Sequence, residues 1–211
     1  MPYKIKRWLF KQFQENFAIY FIVAIVFAIG IITGAVTIKV LNSEQKNGIM
    51  IFINTFFRAM GNNSFENLSI FKQSLIDNFK TIGLIYITGL VIIGIPIIPV
   101  TVMFRGFALG FTVGFLVNEY GLQGFLFSIL GILPQNLIII PAILSISSIG
   151  MAFSMKSIKN RKFKSINNNM HWNIVNYSIL ILFFSIIVII GCLIEAYISP
   201  IFLRLISDYF N

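Results

Sequence analysis

The sequence predicts an all-α integral membrane protein with about five transmembrane helices, kinked or broken central helices and short interfacial helices. Apolar residues make up 57% of the chain and charged residues 11%, with a mean hydropathy of +0.89, whereas a soluble domain is about a quarter charged. Charge-free runs at 17–38, 81–104 and 173–194 each reach the roughly 20 residues that a helix needs to cross about 30 Å of hydrocarbon. Region 106–155 carries Glu119 as its only charge and is long enough for two more crossings. The expected layout is a single polytopic domain over 1–211. Its spans lie near 17–40, 81–104, 106–133, 134–155 and 173–196, with an outer segment at 41–80 and a basic cytoplasmic loop at 156–172.

The first run is longer than the apolar core of a secretory signal and has no small-residue cleavage site close behind it, so it reads as an uncleaved anchor. In the outer segment, Ile49, Phe52, Ile53, Phe56, Phe57 and Met60 recur at helical spacing before Gly61-Asn62-Asn63 ends the pattern. Such a stripe beside water predicts an interfacial helix. The segment is longer than a connector needs, which makes this stripe the candidate face for docking a partner. A second short helix lying on the membrane is expected from Ser69, with Phe71, Leu75 and Phe79 on one face. Phe202, Leu205, Ile206 and Tyr209 form a similar stripe at the other end of the chain.

Pro96 and Pro99 predict a kink near the end of the 81–104 span. Beyond it, Gly106, Gly110 and Gly114 line one helix face with bare backbone, a packing signal for a second helix of this chain or for a second copy of it. Phe104, Phe107, Phe111 and Phe115 project from the neighbouring face. The stretch Asn118-Glu119-Tyr120-Gly121 is a polar break, either a turn or the meeting point of half-helices at 106–118 and 122–133. Pro134 and Pro141 predict further kinks. The amides of Gln135 and Asn136 are placed to meet carbonyls that the prolines leave unpaired. Glu119, Pro134, Gln135 and Asn136 are therefore the polar candidates at membrane depth.

Basic residues set the expected orientation, because Lys and Arg near span ends are retained in the cytoplasm. Lys4, Lys6, Arg7 and Lys11 precede the first span, and Lys156, Lys159, Arg161, Lys162 and Lys164 follow the fourth. The N-terminus is expected inside, Arg105 inside and the C-terminus outside. The net charge of +9 does not point to nucleic acid, because the aromatics sit within the spans instead of alternating with the cations. Membrane lipids are the expected partners of the basic clusters. No catalytic, metal-binding or cofactor motif is present. The single His171 beside Trp172 reads as an interfacial anchor, the single Cys192 as an apolar filler, and Glu195 as a solvated span end.

Several motifs occur together: Asp77-Asn78-Phe79-Lys80 before a Gly-rich span, Arg105-Gly106-Phe107 with its glycine repeat, and Leu133-Pro134-Gln135-Asn136 followed by Pro141-Ala142. In these motifs, and in length and layout, the chain resembles the stage II sporulation protein M family over nearly its whole extent. Wider relatives often carry Pro-His and a Glu where this chain has Gln135 and Ile139 or Ile140. The resemblance implies a non-enzymatic membrane anchor for the peptidoglycan hydrolases, stage II sporulation proteins D and P, at the septal membrane during engulfment. The competing expectation is a small transporter or channel with a midplane site near Glu119.

Overall fold

A computed structural model describes residues 13–14, 16–61, 67–91, 93–162 and 170–201. It is all-helical, with no strand among the described residues. The elements are α1 (Phe17–Thr37), α2 (Ser43–Gly61), α3 (Asn67–Leu90), α4 (Gly94–Phe127), a π-helical turn (Ser128–Ile132), α5 (Leu133–Lys162) and α6 (Met170–Tyr197).

Local chemistry explains the boundaries. The α1 helix has no charge along its length, and it buries only Val23, Gly30 and Gly34, leaving Phe21, Ile25 and Ile32 exposed for lipid. A reciprocal cap starts α2: the Gln45 amide N–H donates to Asn42 Oδ1 (2.9 Å), and the Asn42 N–H donates to Gln45 Oε1 (3.1 Å). The chain reverses between Leu90 and Gly94. Gly94 lies against the Thr88 carbonyl, leaving no room for a side chain, and Pro96 sits in the first turn of α4, where a missing N–H costs nothing.

This reversal corrects the expected second span. The run 81–104 is not one helix; its first ten residues end α3 and its remainder begins α4. The stretch from Ser69, expected as a separate helix on the membrane surface, is the first half of α3, and Phe71 and Leu75 pack against the core. Charge-free windows mislead here because α3 carries Lys72, Asp77 and Lys80 on its exposed side, while the charge-free remainder of the window continues into the next helix.

Among the described residues, three helical segments, fewer than the expected five, are long and apolar enough to cross a membrane: Phe17–Thr37, Gly94–Ile158 and Ile174–Ile201. The middle one, at 65 residues, would be about 100 Å long if straight, three times a bilayer core. It folds back instead. Gly121 is the only residue of α4 with non-helical torsions (φ 58°, ψ −131°), a conformation that glycine adopts at little cost. Just beyond it, Gly124 packs on the Leu116 carbonyl. The expected break at this point is thus a sharp reversal. Residues 106–118 belong to a helix that is continuous from Gly94 to the break, and neither Pro96 nor Pro99 disrupts its torsions.

The helices form two layers. Ile82 and Ile85 of α3, Ile98 of α4, Ile139, Ile143 and Ile146 of α5, and Leu180 and Val188 of α6 make one core. Tyr177, near the start of α6, anchors one end of it, stacking on Tyr86 and Phe153 and donating its hydroxyl to the Tyr86 carbonyl (3.1 Å). The α1 helix packs on the other side of α4, and the two run parallel.

Candidate functional site

Three features bear on function: the α1–α4 glycine interface, a polar relay inside the helix core, and helix α2 with the turn at Glu119.

At the interface, Gly106, Gly110 and Gly114 meet α1 of the same chain. Gly106 lies on the Phe27 carbonyl, Gly110 on Ile31, and Gly114 on Ala35 and Ile38. The approach is mutual, because Gly30 and Gly34 of α1 lie against the backbone of Met103, Phe107 and Phe111. The Gly30 and Gly34 pair, also spaced by four, was the available sequence signal for the partner. Phe107, Phe111 and Phe115 stack in succession beside the glycines. Phe115 is fully buried, and Phe104 faces outward.

The relay ties three helices together. Arg105 of α4, expected on the inner side, lies within the bundle, and its Nη2 donates to Asn78 Oδ1 (2.7 Å) and Thr81 Oγ1 (3.3 Å) of α3. The Asn78 amide donates in turn to the Ser74 carbonyl (2.9 Å) and approaches Cys192 Sγ of α6 (3.5 Å). The Ser74 hydroxyl donates to Glu195 Oε2 (2.6 Å). The Asn78 amide also reaches the Ser74 hydroxyl (3.4 Å), so a cation and a carboxylate stand at the two ends of a hydrogen-bonded chain through buried Asn78 and Ser74. Glu195, expected as a solvated helix end, is engaged from within. Asn78 and Arg105 sat in separate motifs 27 residues apart, and the α3–α4 hairpin brings them together.

Gln135 and Asn136 cap the π-helical turn. Their amides donate to the carbonyls of Gly131 (3.0 Å) and Ile132 (2.8 Å), and buried Gln135 also accepts from Ser199 Oγ (2.7 Å) at the far end of α6. Glu119 is close to none of these. It lies at the Gly121 reversal, accepting from Asn118 Nδ2 (2.6 Å) and paired with Lys46 Nζ of α2 (3.9 Å). Apart from that ion pair, α2 makes little contact with the other described helices. Phe52 is 72% exposed and Ile51 67%, while Ile49 and Ile53 are half-buried. The side chains of Phe56, Phe57, Met60, His171 and Trp172 lie outside the described residues, as do the terminal stripe at 202–209 and most of both basic clusters.

A family model, stage II sporulation protein M, matches residues 23–200. The chain belongs to the stage II sporulation protein M family. Its membership covers the chain from within α1 to the end of α6, so the glycine interface, the relay and α2 all fall within the family's extent. No curated protein and no solved structure matches the chain. Together, the family and the apolar helices make this a membrane protein of a sporulation family.

Proposed function

We propose that this stage II sporulation protein M family member is a membrane anchor without a reaction of its own. It holds a peptidoglycan-hydrolase complex, stage II sporulation proteins D and P, at the septal and engulfing membrane of a sporulating cell. The observation that carries the reading is α2, an amphipathic helix that displays Phe52 and Ile51 clear of the bundle. An apolar face in that position gains by docking on a partner.

The helix directions support an arrangement in which that face points at the wall. Counting α1, α3, the two limbs of the 94–158 segment and α6, the chain passes five times. The Ser154 hydroxyl donates to the Val91 carbonyl (2.9 Å), which puts the end of α3 beside the end of α5 that leads into the basic residues from Lys156 onward. With that end cytoplasmic by the positive-inside rule, α2 and the Glu119 turn emerge outside, as does the end of α6. Depth also weighs against the transporter alternative. Glu119 sits at a helix reversal beside Lys46 instead of at mid-membrane, and the charges that do lie within the bundle, Arg105 and Glu195, are held by Asn78, Thr81 and Ser74.

The test is recovery of wall hydrolases from sporulating cells after crosslinking and extraction in mild detergent, with membrane levels of each variant checked. The expected result is recovery with wild type and Glu119→Gln and loss with Phe52→Asp. Recovery of no hydrolase with the wild type, or undiminished recovery with Phe52→Asp, overturns the docking assignment.

A further inference from the structure

Between the outer halves of α1 and α4 the surface opens into a groove of about 590 Å³. Its floor is Ile31, Ala35, Gly110 and Gly114, and its far wall is Phe125 and Leu133, carried past α4 by the reversal at Gly121 and the π-helical turn. The lining is almost wholly apolar, and its polar groups, Lys39 and Asn118, both lie at the end where α1 finishes. Lys39 is exposed, and no ion pair is formed by it among the described residues. The eight helical rises from Ile31 to Lys39 make the groove about 12 Å long.

We infer that this groove binds one anionic glycerophospholipid, with an acyl chain lying on the Gly110–Gly114 floor and the phosphate at Lys39. The groove is at membrane depth, where water finds no partners on an apolar wall and an empty space forfeits dispersion contacts, so hydrocarbon is its natural filling. The charge selects the headgroup. Glu119 nearby is neutralised by Lys46, so Lys39 leaves the mouth of the groove net positive and complementary to a phosphate.

The experiment is native mass spectrometry of the full chain released from mild detergent, titrated with phosphatidylglycerol or with phosphatidylcholine. Wild type is expected to retain one phosphatidylglycerol about five-fold more strongly than phosphatidylcholine, which corresponds to about 1 kcal/mol for one charge near the headgroups. Lys39→Gln is expected to lose that preference while still retaining lipid, and Val113→Trp, which fills the groove, to lose the retained lipid. Lys39 is at the surface, so its variant reads out the headgroup even if the tryptophan impairs folding. Equal retention of the two lipids by wild type, an unchanged preference in Lys39→Gln, or a lipid-free dimer in place of a lipid-bound monomer overturns the assignment.

Discussion

Replacing Gly110 by alanine adds one methyl group and tests the α1–α4 interface directly. That methyl carbon would collide with the Ile31 carbonyl oxygen and lie 2.7 Å from both the carbonyl carbon and Cα of Ile31. Every one of these atoms is backbone, so no rotamer change relieves the contact. Reaching an ordinary separation of 3.4 Å from the two carbons requires α1 to retreat by at least about 0.7 Å, and clearing the nearer oxygen requires more; Gly30, Gly34 and Gly106 pack through the same contact. Overpacking of this kind costs about 1–3 kcal/mol. For a chain of this size each kcal/mol lowers the melting midpoint by about 2–4 °C. Cys192, the only cysteine and buried in the core, supplies the assay: a thiol-reactive fluorophore in detergent reports its exposure on heating. Gly83→Ala is the matched control, because nothing lies within 4 Å of its added carbon, and in α3 it should raise the midpoint slightly through helix propensity. Equal midpoints for Gly110→Ala and Gly83→Ala would refute the tight interface, and a change in oligomeric state with no change in midpoint would move the glycine face to a second copy.

The relay and the π-helical turn give further expectations. Asn78→Leu strands Arg105 without its main acceptor and should destabilise by about 2 kcal/mol or more, whereas the double variant with Arg105→Met should recover part of that loss; strictly additive effects on the thiol-exposure midpoint would show the two are uncoupled. Gln135→Leu removes both the acceptor of Ser199 and the donor to Gly131, and a loss of about 1–3 kcal/mol is expected, accompanied by faster amide exchange at the end of α6; unaltered exchange there would count against the Gln135–Ser199 link.

Hydropathy made the class of the protein legible, and the glycine triplet announced close helix packing. The Gly121 break was legible too, because a polar, glycine-bearing stretch between apolar runs has few other uses. The α3–α4 hairpin was not. Its turn at 91–93 is made of apolar residues, and a window that looks for missing charge reads straight through it. The same logic hides the relay, because Arg105 marks the edge of a charge-free run and so reads as a residue on the inner side, beyond the span. Only a contact across the hairpin shows that Asn78 receives it. The apolar stripe of α2 is legible in the sequence, while its separation from the bundle depends on how the other helices pack and leaves no local mark.

Parallel packing of α1 on α4 has a consequence for how the protein is made. Gly34 settles against Phe107 and Phe111, and at about 5–20 residues per second of synthesis that partner emerges several seconds after Gly34 itself. During that interval the first helix is already in the membrane with its bare backbone face uncovered. Lipid is what that face meets until the hairpin arrives, so the close α1–α4 contact cannot form until about half of the chain has been made.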